Sequence, residues 1–487
     1  MAGYRYFSRC FYLRQFMVAS TLLSGFSLSP AQADNSALPA SHRLFRIKVQ
    51  GRVELIDRLV SKGFDIAGRN HRDGTIDVIA HSEYEARELS GISDQLIATW
   101  SLDPKRAPDA AYKSPDEIKA ILDDFVAEYP TLAQLESIGK SGEGRDIWAL
   151  KITQNPDQPD PEKPAILFNA MHHAREVMTP EVALDTIEQL LTRYDSDPKI
   201  THWVNTNEIW VVPMLNPDGN QRVWIRNSMW RKNTRGGYGV DINRNYPYGW
   251  GSCNGSSGST GSDTYRGPSA GSEPETQSLM GLVEKIQPVF DISYHSYSEL
   301  VLYPYGCDGQ RAETSQIIEP LGQAMAKALP SDKGSGTYVA GTSWELLYSV
   351  DGSDMDWMYH EHHVIPYVIE VNSDSEGFQP AYSWRQPTVE KLRAAWHMLL
   401  NRLDQSGMRG LVKSAEGRIA ADIPIVVQST GNQGNTTLIE TRTKKNGTFH
   451  MIVNPGPYRI TFGSGASQIT RDVMIGAERV NFNVTLQ

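Results

Sequence analysis

The sequence predicts an α/β protein: a mixed sheet flanked by helices, preceded by a small α+β open sandwich and followed by a β-sandwich. Three observations carry that expectation. The runs "PAILFNA", "EIWVVPML", "VFDISYH" and "IPYVIEV" are apolar or nearly so throughout, as strands covered on both faces are. Ahead of them, a strand, helix, strand pattern occurs twice within about sixty residues. Behind them come short alternating runs separated by turn signals.

In chain order, the first 33 residues have the layout of a secretory signal. Arg5, Arg9 and Arg14 precede the short apolar run "FMVASTLLSGFSLS", and "AQA" ends at Ala33, ahead of Asp34. The run is shorter than the ~18–20 apolar residues that span a bilayer. A secreted or periplasmic protein with no membrane span after signal removal is expected.

Residues 34–105 make the first domain. "LFRIKV" alternates, "RVELIDRLVSKG" has helical spacing and ends at Gly63, and "FDIAG" follows. "TIDVIA" alternates again, "SEYEARELSG" runs from Ser82 as N-cap to Gly91, and "LIATW" closes the unit. "SLDPKRAPDAAYKS" reads as a linker, in which Lys105-Arg106 is either a processing site or a solvated pair.

The main domain covers residues 112–405. "SPDEIKAILDDFVAEYP" starts a helix with Ser114 as cap and Pro115 in first position, and places Ile118, Ile121, Leu122, Phe125 and Val126 on one face. "TPEVALDTIEQLLTRY" reads as a helix capped by Thr179 with Pro180 first. "GWGSCNGSSGSTGSDTYRG" is a Gly/Ser-rich loop that must be ordered by its neighbours. Residues 407–487 form the sandwich, where Asn446-Gly447 signals a hairpin and "YRITF" and "VNFNVTL" alternate.

The formal charge of -10 leaves no basic surplus for phosphates, which excludes a nucleic-acid partner. Cys10 departs with the signal. Cys253 and Cys307 remain, and an exported chain meets conditions in which they bridge; two separate buried thiols are the alternative.

The chemistry concentrates at strand ends. "MHHAREVM" follows "AILFNA" and sets His173 three residues before Glu176, a spacing at which both reach one metal ion from a tight turn. Alone, the pair is weak evidence. His295 ends "VFDISYH", however, and Glu370 lies in "IPYVIEV", where a lone carboxylate is costly to bury without a partner or a task. Open α/β sheets gather ligands at the carboxyl ends of their strands. If these ends converge, two histidines and a carboxylate are available for zinc with an open fourth position, and Glu370 is left as a base.

The motifs "HHARE", "MWRKNTR", "DINRNY", "TYRGPSAGSEPET", "HSYSELVLYPYG", "LYSVDGSDMDW" and "VIEVN", in that order between Tyr112 and Leu403, resemble the zinc carboxypeptidases of the carboxypeptidase A/B family. The likeness is to their secreted bacterial carboxypeptidase T branch. It implies a carboxypeptidase-like fold, one Zn2+ per catalytic domain, and peptide or protein substrates with a free C-terminus. It makes His173, Glu176 and His295 the zinc ligands, Glu370 the general base and Arg231 the group that stabilises the oxyanion. Asn243 and Arg244 match the pair that holds the terminal carboxylate, Arg175 an arginine on the substrate path, and Tyr348 the tyrosine that closes over the terminal residue. Asp241 matches the carboxylate that orients the first histidine, and His172 has no assigned role.

Met355 falls at the floor of the terminal side-chain pocket and implies hydrophobic preference. Asp351 and Asp354 lie nearby and keep mixed specificity open, although the position that the mixed branch uses is Ser353. The resemblance also implies a zymogen, with residues 34–105 as a propeptide, a transthyretin-like domain at 407–487, and a monomer. Two other classes compete. One is a peptidoglycan stem-peptide amidase of the same fold, disfavoured by the Asn243-Arg244 pair. The other is a binding protein without activity, disfavoured by the intact ligands and base.

Overall fold

The structure is a computed structural model that describes residues 42–49, 53–92, 94–158, 160–431, 436–465 and 468–486; the signal-like segment lies outside them. Strands β1 (His42–Lys48), β2 (Asp65–Asn70), β3 (Thr75–Ala80) and β4 (Leu96–Leu102) form an antiparallel sheet in the order β2-β3-β1-β4. Helices α1 (Val53–Ser61) and α2 (Glu83–Ser90) pack on one face, around Phe45, Ile47, Ile56, Leu59, Val78 and Leu89. Ser82 caps α2 by accepting the Glu85 N–H. The other face turns Ala67 and Ile79 onto Tyr297 and Phe378 of the main domain. A register shift between Ile66 and Gly68 bulges edge strand β2 at that contact.

The main domain begins with α3 (Pro115–Glu128), where Ser114 and Glu117 complete a capping box. It continues through β5 (Ala133–Lys140), β6 (Asp146–Ile152), β7 (Ala165–Ala170), α4 (Met178–Thr192), α5 (Pro198–Thr206), β8 (Glu208–Val212) and α6 (Pro217–Ile225). Next come α7 (Pro274–Ile286), β9 (Phe290–Ser296), β10 (Leu300–Tyr303), α8 (Ser315–Ala328), β11 (Val339–Thr342) and α9 (Ser343–Leu346). The domain closes with α10 (Asp354–His362), β12 (Ile365–Val371) and α11 (Arg385–Leu403).

The eight strands run β11-β10-β12-β9-β7-β8-β6-β5, and the central four, β12-β9-β7-β8, are parallel. Because side chains alternate between two covered faces, these strands are apolar over most of their length. Ile166 and Phe168 of β7 face one core with α4, α8 and α11, whereas Ala165 and Leu167 face the other with α7 and α10. From β7 the chain moves outward to β8 and later returns on the opposite side through β9, so the order reverses between β7 and β9. A crevice opens there at the strand carboxyl ends.

Two local expectations are corrected. Helix α4 starts at Met178, so Thr179 lies inside it, and its hydroxyl donates to the Glu176 carbonyl instead of capping. Asn446-Gly447 does form a turn, with Gly447 at φ +75°, but it does not join a hairpin. It links β15 (Thr436–Arg442) to β16 (Thr448–Ile452), strands of different sheets. The remaining C-terminal strands are β13 (Gly407–Lys413), β14 (Pro424–Ser429), β17 (Gly456–Phe462), β18 (Ile469–Ile475), β19 (Arg479–Asn481) and β20 (Val484–Thr485). The sheets β16-β13-β19, with β20 also on β13, and β15-β14-β17-β18 share one apolar core that includes Met408, Ile425, Phe449 and Phe462.

Candidate active site and metal centre

β7 delivers the turn that carries His173 and Glu176, β9 delivers His295 at its penultimate position, and β12 sets Glu370 beside it in parallel register. His173 Nδ1 stands 2.8 Å from Glu176 Oε1, and His295 Nδ1 stands 3.1 Å from His173 Nδ1 and 3.2 Å from Glu176 Oε2. Bonds of ~2.0–2.1 Å to a tetrahedral zinc place its ligand atoms roughly 3.3 Å apart, so this donor set fits that ion. Two imidazole nitrogens facing each other across a carboxylate need a cation, or a proton, between them. Behind His173, Asp241 Oδ1 lies 3.2 Å from Nε2, and the Ser296 N–H donates to Glu176 Oε2 at 3.2 Å.

Asp241 organises the rest of the site. Its Oδ2 accepts from Nε and Nη2 of Arg231 at 3.1 and 2.9 Å, and its Oδ1 accepts the Asn243 N–H at 3.0 Å. Burial alone would raise its pKa, but Arg231 and His173 outweigh that and hold it well below the carboxylate range. Glu176 is lowered for the same kind of reason, His173 and His295 overcoming its burial. Glu370 behaves differently: desolvation dominates, Glu176 adds repulsion, and the carboxyl is pushed up to about 8. Two neighbouring carboxylates therefore differ in proton affinity.

Arg244 is aimed by backbone carbonyls, donating from Nε to Gly255 (3.0 Å) and from Nη1 to Asn243 (2.7 Å). The Gly/Ser-rich loop that supplies Gly255 is pinned by a Cys253–Cys307 disulfide and by Asp351 Oδ2, which accepts from the Cys253 and Gly255 amides. Asp351 is thereby turned away from the cavity. Asp354 is turned away too, its Oδ1 accepting the Met355 N–H at 2.7 Å. Leu302, Leu347, Tyr348, Val350, Met355 and Val368 line the pocket beside Arg244, with Ser353 at its edge. Both open carboxylates of the sequence reading thus face the scaffold, and Leu302, Leu347, Met355 and Val368 form one apolar cluster on this side of the cavity.

Sequence reasoning expected residues 34–105 to be a propeptide but did not identify the residues through which they meet the site. Arg175 is fully buried and donates through Nη1 and Nη2 to both carboxylate oxygens of Asp65, at 2.6 and 2.8 Å, with Phe378 stacked 4.1 Å from its guanidinium carbon. Asp77 accepts from the Tyr297 hydroxyl at 3.0 Å. Ile66, Ala67 and Gly68 line the same cavity as His173, Glu176 and His295. Tyr348 packs against the core of the N-terminal domain. Nothing in "FDIAG" marks Asp65 as the partner of a residue 110 positions away.

The chain matches the zinc carboxypeptidase family over residues 118–395. It is 30% identical over 372 residues to zinc carboxypeptidase A 1 of Anopheles gambiae, covering 72% of this chain and 83% of that protein. It is 36% identical over 293 residues to a zinc carboxypeptidase of Saccharothrix mutabilis subsp. capreolus, 55% of this chain and 64% of that one. Carboxypeptidase A from Helicoverpa armigera has the same fold, with a TM-score of 0.64 at 22% identity over 74% of this chain and 96% of that chain. The crevice between β7 and β9, its two histidines and carboxylate, and these likenesses agree: the chain belongs to the zinc carboxypeptidase family.

Proposed function

We propose that this peptide hydrolase is exported, acts as a monomer, and removes single residues, preferentially hydrophobic ones, from the C-termini of peptides. The convergence of His173, Glu176 and His295 in one cavity with Glu370, Arg231 and Arg244 carries the reading. Zinc is the cofactor of the family, and held by His173, Glu176 and His295 it supplies Lewis acidity, lowering the pKa of water to about 7 and polarising a carbonyl. Glu370, with its raised proton affinity, takes the proton of the attacking water and passes it to the leaving amine. Arg231, oriented by Asp241, meets the negative charge that develops on the carbonyl oxygen.

Asn243 and Arg244 fix the free carboxylate, which confines cleavage to the last peptide bond. Tyr348 covers the terminal side chain, which sits over Met355 among aliphatic groups. A pocket so lined favours apolar termini, because a charged side chain there would lose hydration without a partner. Residues 34–105 act as an inhibitory pro-segment: Asp65 occupies Arg175, and Ile66, Ala67 and Gly68 of the β2 bulge line the cavity that the substrate's last residue would enter. The Asn243-Arg244 clamp favours this reading over a cell-wall amidase.

The test is a panel of peptides that differ in their last residue, incubated with the processed enzyme with and without a zinc chelator. Sequential release of apolar C-terminal residues, lost with chelator and restored by zinc, is expected. Hydrolysis indifferent to chelation, or equal release of lysine and arginine, would overturn the mechanism or the preference respectively.

A further inference from the structure

His172 is fully buried beside the metal site and lies outside the converging group of His173, Glu176 and His295. Its Nε2 stands 3.0 Å from the Tyr246 hydroxyl and 3.5 Å from Asp354 Oδ2, and its Nδ1 stands 3.5 Å from Ser293 Oγ. Its ring stacks on that of His295, centroids 5.4 Å apart and planes 22° from parallel. One imidazole therefore touches the clamp turn through Tyr246, the start of α10 through Asp354, and the metal-bearing strand β9 through His295.

Asp354 explains why that matters. It is wholly buried, and among the described residues its Oδ2 has no hydrogen-bond partner; His172 Nε2 faces it at 3.5 Å. Its backbone N–H donates to Asn243 Oδ1 at 3.0 Å, and its side chain accepts from the amide of Met355, the pocket floor. Asn243 Nδ2 in turn stands 3.3 Å from His295 Nε2. The contacts close a ring: His295, His172, Asp354, Asn243 and back to His295. A buried carboxylate left uncompensated would shift towards solvent or a new partner, and α10, Asn243 and Met355 would shift with it.

We propose that His172 is a positioning residue for substrate recognition. By holding Asp354, it keeps the carboxylate clamp and the pocket floor in register with the metal-bearing strand. The inference rests on the carboxypeptidase reading above, since it assigns Asn243 and Met355 to the terminal residue.

The experiment compares processed wild-type enzyme with His172→Leu, His172→Gln, Asp354→Ala and the His172→Leu/Asp354→Ala double variant. It measures kcat and KM on a peptide ending in an apolar residue, zinc content, and binding of the free terminal amino acid by calorimetry. For His172→Leu, KM and the amino-acid dissociation constant should each rise about tenfold or more, the effect of removing the polar ring that faces a buried carboxyl group, with kcat within about threefold and one zinc per chain. His172→Gln, which restores a donor near Asp354, should recover most of the affinity. The double variant should match Asp354→Ala, because the two residues act as one unit.

Unchanged KM and amino-acid binding in His172→Leu overturn the proposal, as does a loss confined to kcat and zinc content, which would make His172 a support for the metal ligands alone. If His172→Leu does not fold, His172→Gln and Asp354→Ala decide: wild-type binding in Asp354→Ala overturns it. A wild-type enzyme that releases no C-terminal residue would instead overturn the functional reading.

Discussion

Glu370 and Glu176 lie within one cavity, but their surroundings drive their proton affinities apart. Glu176 faces two imidazoles and stays ionised, whereas Glu370 sits at the end of an apolar strand with a carboxylate for a neighbour. A ligand must hold negative charge throughout the reaction, and a base must exchange a proton near neutral pH. Glu370→Gln keeps the shape and removes the exchangeable proton. We expect it to retain one zinc per chain by metal analysis and to lose about 10²-fold or more of kcat in the peptide assay. Near wild-type turnover would reassign the base.

At the scale of elements, the contact between the N-terminal sheet and the main domain is more polar than a hydrophobic cover requires. His81, after β3, stands 3.0 Å from Asp65 on β2 and 2.6 Å from Asp263 on the Gly/Ser-rich loop, with the His42 ring of β1 4.7 Å away and Arg175 on the far side of Asp65. Burial opposes its protonation, but Asp263 and then Asp65 raise its pKa to about 10. Released from the interface, it returns towards its ordinary value of ~6.5. Its folded pKa is the higher one, so its contribution to docking is complete below ~6.5 and is lost as pH rises towards about 10.

After cleavage in the linker, retention of the N-terminal domain in gel filtration should therefore decline between pH 6.5 and 10. His81→Gln should flatten that decline; an identical profile in the variant would show that another group governs release.

Gly68 tests the same contact sterically. A Cβ there would lie 2.7 Å from Cε2 of Tyr297 and 2.9 Å from the Tyr297 carbonyl, too close to either. Gly68→Val should push the β2 bulge out of the cavity. Unprocessed Gly68→Val enzyme should then hydrolyse short peptides faster than unprocessed wild type, whereas equal rates would show that the bulge does not limit access.

For the whole molecule, three cores meet along one chain and meet unequally. The N-terminal sheet is attached by charged groups and by an exposed connection in which Lys105 and Arg106 are both open to solvent. The C-terminal sandwich is tied to the main core itself: Ile452 joins the principal cluster, Lys444 donates to the Ile286 carbonyl, and Arg402 donates to that of Val453. A protease specific for basic residues should cut first after Lys105 or Arg106 and leave the sandwich attached. N-terminal sequencing of the stable product should find Arg106 or Ala107 at its start, with peptidase activity rising in parallel. Cleavage first within the 407–487 region would contradict this order of attachment.

The strands, most helices and the pairing of His173 with Glu176 were legible in the sequence because each depends on local physics. Apolar runs make buried strands, Ser114 with Glu117 makes a helix start, and a three-residue spacing lets His173 and Glu176 meet. Where local signals failed, a distant partner had decided the outcome. Asn446-Gly447 turned as expected but fed two sheets instead of one, because β15 and β16 find better partners in β14 and β13. Asp351 and Asp354 looked like specificity groups until backbone amides and His172 claimed them.

By itself, then, the sequence picked out His173, Glu176, His295 and Glu370 at the ends of apolar strands. Only the tertiary structure decided that Asp65 pairs with Arg175, that the β2 bulge lines the cavity, and that His172 lies against Asp354. Those outcomes follow from charge pairing and packing between segments far apart in the chain, which no local pattern records.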